Sequence, residues 1–213
     1  MCIDINTLTS LPQREFQSGL YEVVKYGLIY DFEFFAYFES HLEQILQRVS
    51  HVLEEVISRC CEVKAKIISL DETEQDLRRI LNFGHTFGHA LEAAGDFRGL
   101  THGEAVGYGM LAAIRLSNQR GYLSTRVCDR LSKCIWRIGD LPPIDHISNE
   151  QIFEAMKHDK KRHQDLNRFI LLKDIGKTVV REDLDNQALT ETWEQVKLKS
   201  QNGFKSRQGN DYF

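Results

Sequence analysis

The sequence predicts a mainly α, multi-helix domain with one small β-hairpin near residues 169–181. Three observations carry that prediction. Apolar residues return every three or four positions over most of the chain, which is the period of a helix with one buried face. Only three prolines interrupt the 213 residues. Strand-like apolar runs occur only at Phe169-Ile170-Leu171-Leu172 and Thr178-Val179-Val180.

Taken in order, Ser10 and Gln13 have the spacing of a capping box, and Pro12 suits a first helical turn. The run Phe16–Ile29 is therefore read as the first helix. Asp31 restarts a shorter helix carrying Phe34, Phe35 and Phe38, whose acidic neighbours mark them as packing residues and not a base-stacking platform. From His41 to about Leu70 the apolar positions Leu42, Ile45, Leu46, Val49, Val52, Leu53, Val56 and Ile57 predict one continuous amphipathic helix. Leu77–Ala94 is a further helix ended by Gly95, and the next begins near His102 and reaches about Asn118. Residues 124–138 are helical, until Gly139-Asp140-Leu141-Pro142-Pro143 breaks the pattern. A helix from Ser148 to about His158, a basic loop, the two short strands and a last helix over roughly 187–199 complete the order. The tail from Ser200 is polar and reads as frayed.

Composition narrows the function. Hydrophobic residues make up 42% and charged residues 27%, enough core and surface to exclude a disordered or fibrous chain. With 27 basic and 31 acidic residues the net charge is −4, so no broad positive field is offered to nucleic acid or to an anionic membrane. Five cysteines without a Cys-x-x-Cys pair argue against a complete disulfide framework and fit a reducing cytoplasm. Neither a signal peptide nor an 18-residue apolar span is visible. Gly-x-Gly-x-x-Gly, Gly-x-Ser-x-Gly and Walker-type patterns are likewise missing, which removes the principal parts of nucleotide cradles and serine hydrolases.

The chemistry concentrates in Asn82-Phe83-Gly84-His85-Thr86-Phe87-Gly88-His89 and in Thr101-His102-Gly103-Glu104. On a helix, Asn82, His85 and His89 would share one face. Two imidazoles with a carboxylate suit a zinc-type site, and cobalt or manganese accept the same ligands. Glu22, Glu92, Glu104 and His102 are the candidates to complete the set, while a polar helix face or carbonyl-bonded core histidines would fit the same spacing. Glu22 and Lys25 stand three apart, so a carboxylate and an ammonium can reach one volume. Arg78, four before Asn82, adds a planar donor fork for a polyoxygen ligand. Lys64 on the preceding helix, and Asp159-Lys160-Lys161-Arg162 in a later turn, could neutralise an acidic group, although a basic run is more often a solvated face.

These blocks resemble the carboxy-terminal, metal-binding domain of the 3-dehydroquinate synthase family. The matching segments are Leu11-Pro12, Glu22-Val23-Val24-Lys25-Tyr26-Gly27-Leu28-Ile29, Arg78 through Leu91, Leu100 through Val106, Asp159-Lys160-Lys161 and Phe169-Ile170-Leu171-Leu172. They stand in family order, and the histidine block together with His-Gly-Glu is the specific part. The resemblance implies a helical metal- and substrate-binding domain over 1–200, followed by the polar tail 201–213. It implies Glu22, His85 and His102 as ligands of Zn2+, with Co2+ possible, and so moves His89 from metal ligand to phosphate contact or proton carrier. Lys25, Lys64, Arg78, Asn82 and one of Lys160 and Lys161 would orient the substrate.

The implied reaction belongs to the shikimate pathway of aromatic amino acid biosynthesis. It converts 3-deoxy-D-arabino-heptulosonate 7-phosphate to 3-dehydroquinate and phosphate, with NAD held by an amino-terminal domain that lies outside these residues. A cytoplasmic enzyme, a possible separate amino-terminal domain as partner and a possible homodimer are implied as well. The Arg78 and Asn82 pair favours this carboxylate-bearing substrate over that of a related sugar-phosphate cyclase; a non-catalytic metal-binding or dimerisation module is the reading from another class. Two positions depart from the family pattern: Tyr21 stands where a small residue usually precedes the glutamate, and Asp165 where a glycine commonly follows Asp-Lys-Lys.

Overall fold

The computed structural model describes residues 3–71, 77–95, 99–163 and 168–208, with side chains described for all of these except 77, 158–163 and 202–208. Among the described residues, eight α-helices and one antiparallel hairpin follow a short 3-10 turn at Ile5–Thr9: α1 Gln13–Ile29, α2 Phe32–Leu46, α3 Ser50–Leu70, α4 His85–Ala94, α5 His102–Gln119, α6 Thr125–Ile138, α7 Asn149–His163, β1 Phe169–Asp174, β2 Lys177–Arg181 and α8 Asn186–Gln208. The mainly α expectation and the hairpin both hold.

Helix α5 is the axis of the core. Every residue from Gly103 to Ile114 is buried, and α1, α4, α6, α8 and β1 pack around it. A helix apolar on all sides is stable only when surrounded in this way. Its entry is fixed by a capping box in which Thr101 Oγ1 accepts from Glu104 N and Glu104 Oε2 accepts from Thr101 N. Strand β1 lies on the same helix: Ser117 Oγ donates to Ala113 O and accepts from Leu172 N. The hairpin pairs Ile170 with Val180 and Leu171 with Val179, and its turn uses Gly176 at φ 78°.

Four local expectations are corrected. The apolar run 41–70 is two helices, because the chain turns at Gln47–Val49 with Arg48 at φ 59°. Arg48 is held there by Thr9 O, Leu11 O and the ring of Phe16, and the periodicity runs through the break because both helices face one core. The capping box at Ser10 and Gln13 does not form: Pro12 is the cap residue, Ser10 Oγ donates to Thr7 O, and Gln13 Oε1 accepts from Arg48. Leu77–Ala94 is divided into a 3-10 turn, Leu77–Asn82, and α4, with Gly84 in the left-handed region between them at φ 81°. Finally, α7 runs to His163 instead of about 158, and α8 runs to Gln208, into the stretch read as a frayed tail, of which 209–213 lie outside the described residues. Among the described residues, no helix is long and apolar enough to cross a membrane.

Candidate metal and substrate site

Three helices meet where the predicted residues lie. Glu22 stands on α1, while His85 and His102 are the first residues of α4 and α5, so both imidazoles sit at helix N-termini. The positive ends of those helices favour anions and neutral bases over imidazolium.

The approach of α4 to α5 depends on missing side chains. A Cβ on Gly109 would overlap the carbonyl oxygen of Gly84, and one on Gly84 would lie 2.9 Å from both Met110 N and Val106 O. On the other side of α5, a Cβ on Gly103 would overlap Ser18 O, and one on Gly107 would meet Tyr21 Cδ1 at 2.9 Å. Gly107 thus makes the room that the bulky Tyr21 needs, and the departure noted there is absorbed by packing. Arg14 ties the same helix ends together, donating from Nε and an Nη to the two oxygens of Glu104 at 2.7 Å each. Glu104 is buried and fully engaged by these bonds and its cap, so it is not available as a ligand.

Around Glu22 the polar atoms are incompletely matched. Glu22 Oε2 accepts from Lys25 Nζ at 2.7 Å, whereas Oε1 is buried and has no hydrogen-bond partner. His85 Nδ1 lies 3.2 Å from Phe83 O, an acceptor, so Nδ1 carries the proton and the neutral ring turns the Nε2 lone pair inward. That Nε2 is 3.6 Å from Glu22 Oε1. Two lone pairs thus face each other, and a cation between them resolves the conflict. Ligands about 2.0–2.2 Å from a tetrahedral metal stand roughly 3.3–3.6 Å apart, so the observed separation fits that geometry. Ligand atoms of Glu22, His85 and His102 all lie within 4.8 Å of one another, and so do those of His89, Glu92 and His102. The His85 ring is edge-on to His89, with centroids 5.3 Å apart, and to His102, with centroids 5.4 Å apart. His102 Nδ1 is 3.1 Å from Glu92 Oε1.

Burial, and then the charge of Lys25, lower the pKa of His85 from 6.5 to about 4, against opposing pulls from Glu22 and the Phe83 carbonyl and with a further lowering by His89. Lys25 is 3% exposed, and its ammonium is likewise lowered by burial, opposed by Glu22 and reinforced by Lys64. For the metal-free chain the consequence is signed. Above pH 6.5 His85 is neutral in both folded and unfolded states. Between 6.5 and about 4 only the unfolded state takes up the proton, so stability falls with acid through that window. Urea midpoints measured with chelator at pH 7 and pH 5 check this, and His85→Gln is expected to flatten the difference.

Of the residues singled out in the sequence, Glu22, Lys25, His85, His89 and His102 are brought together, and Lys64, exposed on α3, lies within electrostatic reach of Lys25. Asn82 does not share a helix with His85 and His89; it ends the 3-10 turn and is exposed. Arg78 is half-buried in that turn, its backbone N–H donating to Asp71 Oδ2 at 3.0 Å. The side chains of Lys160 and Lys161, and all of Asp165, lie outside the described residues. Sequence reasoning missed Arg14, whose partner is 90 residues away, and the glycine contacts of α5. The run of glycines at 103, 107 and 109 was the available signal for the latter.

The fold is the one shared by cyclising synthases. The chain is similar to 2-epi-5-epi-valiolone synthase from Streptomyces hygroscopicus subsp. jinggangensis, a structure with NAD+ and Zn2+ bound (TM-score 0.82, 25% identity, 92% of this chain and 55% of that one). It is also similar to a 2-deoxy-scyllo-inosose synthase complexed with carbaglucose-6-phosphate, NAD+ and Co2+ (TM-score 0.71, 29% identity, again 92% and 55%). Residues 19–162 match the family described as 3-dehydroquinate synthase C-terminal, and the chain belongs to that family. Among curated relatives, the 3-dehydroquinate synthase of Thermoanaerobacter pseudethanolicus is 42% identical over 184 residues, 85% of this chain and 52% of the relative. That of Pseudoalteromonas atlantica is 40% identical over 188 residues, 88% of this chain and 53% of the relative. The chain thus spans about half the length of the curated relatives it matches.

Proposed function

We propose that this chain is the metal- and substrate-binding half of a 3-dehydroquinate synthase. In this reading it works with a dinucleotide-binding part outside these 213 residues to convert 3-deoxy-D-arabino-heptulosonate 7-phosphate to 3-dehydroquinate and phosphate. The observation that carries the reading is the unpartnered Glu22 Oε1 facing the His85 Nε2 lone pair beside His102. Identity of 40–42% to 3-dehydroquinate synthases, against 25–29% to the two other cyclases, favours this substrate over theirs.

Glu22, His85 and His102 would hold Zn2+ or Co2+, which supplies Lewis-acid polarisation of neighbouring substrate oxygens. NAD, held by the other half, supplies the hydride acceptor and donor. The work of this chain is otherwise positioning. Lys25 keeps its proton at Nζ in a buried pair with Glu22, where it fixes the carboxylate and offers a donor to a substrate hydroxyl. Lys64, Arg78, Asn82 and one lysine of 160–161 would bind carboxylate, hydroxyl and phosphate groups, with the N-termini of α4 and α5 adding positive potential. His89, exposed beside His85, would contact the phosphate or carry a proton near it.

A coupled assay of phosphate release and 3-dehydroquinate formation, with zinc, NAD and substrate, tests the proposal. Run on this chain with a separately expressed amino-terminal domain, turnover that requires both parts is the expected result. Absence of turnover with folded, zinc-loaded protein would overturn it in favour of a non-catalytic metal-binding module.

A further inference from the structure

Glu92 has no role in the reading above, yet its carboxylate lies within hydrogen-bond distance of the proposed ligand His102. It stands seven residues after His85 on the same face of α4, is largely buried with 15% side-chain exposure, and places Oε1 3.1 Å from His102 Nδ1. His102 itself is half-exposed at the first position of α5, with the rings of His85 and His89 beside it.

We propose that Glu92 is a positioning residue. By accepting the Nδ1 proton of His102 it holds that imidazole in a single tautomer and rotamer, with the Nε2 lone pair turned toward Glu22 and His85. The argument is one of donor inventory. An ionised carboxylate only accepts, so the nitrogen facing it carries the proton and the other ring nitrogen is left as the base. His85 reaches the same state through a backbone carbonyl, with Nδ1 against Phe83 O. The two imidazoles are therefore set by different acceptors to present the same atom. A carboxylate behind a ligating histidine also raises the basicity of the ring, and losing such a partner costs roughly 10–100-fold in metal affinity. Glu92 is the less easily replaced device, because among the described residues no backbone carbonyl stands within hydrogen-bond distance of His102 Nδ1. The inference rests on the metal site proposed above, but its first half, the hold on the ring, does not need the metal.

Two measurements on the full chain separate those halves. Two-bond 1H–15N spectra of metal-free protein with labelled histidine are expected to show His102 as the Nδ1–H tautomer, and a mixture in Glu92→Ala. An unchanged tautomer in that variant would overturn the proposal. Cobalt titration, followed by visible absorption, is expected to lose roughly 10–100-fold in affinity in Glu92→Ala. Glu92→Gln should fall between, since its amide oxygen still accepts, and circular dichroism should be unchanged in both. Equal affinity in Glu92→Ala would overturn the orienting role. Binding of two cobalt ions by the wild type, reduced to one of unaltered affinity in Glu92→Ala, would make Glu92 a ligand of a second cation with His89 and overturn it as well. If the wild type binds no cobalt while the tautomer still shifts, the metal site fails and the hold on the ring survives.

Discussion

Glu22→Gln is expected to abolish zinc binding while leaving the metal-free fold close to the stability of the wild type. The variant keeps the size of the side chain and an oxygen for Lys25 Nζ, now 2.7 Å from Glu22 Oε2. Its amide nitrogen can occupy the place of the unpartnered Oε1 and donate toward His85 Nε2, which lies 3.6 Å away. A facing pair of acceptors becomes a donor and an acceptor, offsetting the weaker hold on the Lys25 ammonium. The loss of a charged ligand, by contrast, should lower zinc affinity by more than the roughly 10–100-fold typical of an outer-sphere partner.

The readout is stability with and without metal. At zinc a hundredfold above its dissociation constant the wild type should gain about 2.7 kcal/mol, and a variant weakened more than about 100-fold should gain less than about 0.4 kcal/mol. Glu22→Ala makes the contrast, because it strips the buried Lys25 ammonium of the carboxylate it donates to. Breaking a buried pair costs about 3–5 kcal/mol, which the one-third exposure of Glu22 and the freedom of Lys25 to lose its proton reduce to roughly 1–3 kcal/mol. A Glu22→Gln variant that retains zinc would remove Glu22 from the ligand set.

Gly109→Ala is expected to be among the most destabilising glycine-to-alanine changes at the described residues. In an open helix this substitution gains up to about 1 kcal/mol from backbone entropy. Here the new Cβ would overlap the carbonyl oxygen of Gly84 and lie 3.0 Å from Gly88 N, the two atoms of the first hydrogen bond of α4. Backbone cannot move aside as a side-chain tip can, so α4 must shift from α5. The cost should reach or exceed the roughly 1–3 kcal/mol usual for overpacking, and it should come with weakened metal binding, because His85 opens the helix that is displaced. Gly19→Ala on α1 is the control, since a Cβ there meets nothing within 4 Å. It should stabilise the protein by about 0.5–1 kcal/mol. Urea unfolding of the three proteins decides the matter, and equal midpoints for Gly109→Ala and wild type would sink the close-approach argument.

Helix content was legible because it depends on local periodicity. Phe34, Phe35, Phe38, Leu42 and Ile45 fall on one stripe, and all are buried. The errors fall where a backbone irregularity hides beneath an unbroken pattern. Arg48 turns the chain in the middle of an apolar run, and Gly84 starts α4 at His85 instead of letting it run from Leu77. The second error matters for function. With Asn82 on the α4 helix, His85 and His89 would have been two equivalent members of one face. With Gly84 left-handed, His85 is the first residue of a new helix, where Phe83 O can fix its tautomer. The spacing alone left the identity of the ligands open. Glu22 is 63 positions from His85, and no local rule links them.

What the sequence determined by itself is which residue types are available and which faces the helices bury, because both follow from side-chain chemistry and a 3.6-residue period. That includes the histidine block, the hairpin and the apolar α5. What only the tertiary structure decided is which of these groups share a volume. Glu22 meets His85 because Gly84, Gly103 and Gly109 let three helix backbones approach within the reach of one carboxylate. Glu104 is withdrawn from the ligand set because Arg14, distant in sequence, takes both of its oxygens. Such contacts join positions tens of residues apart, and their energies depend on distances that no local pattern encodes.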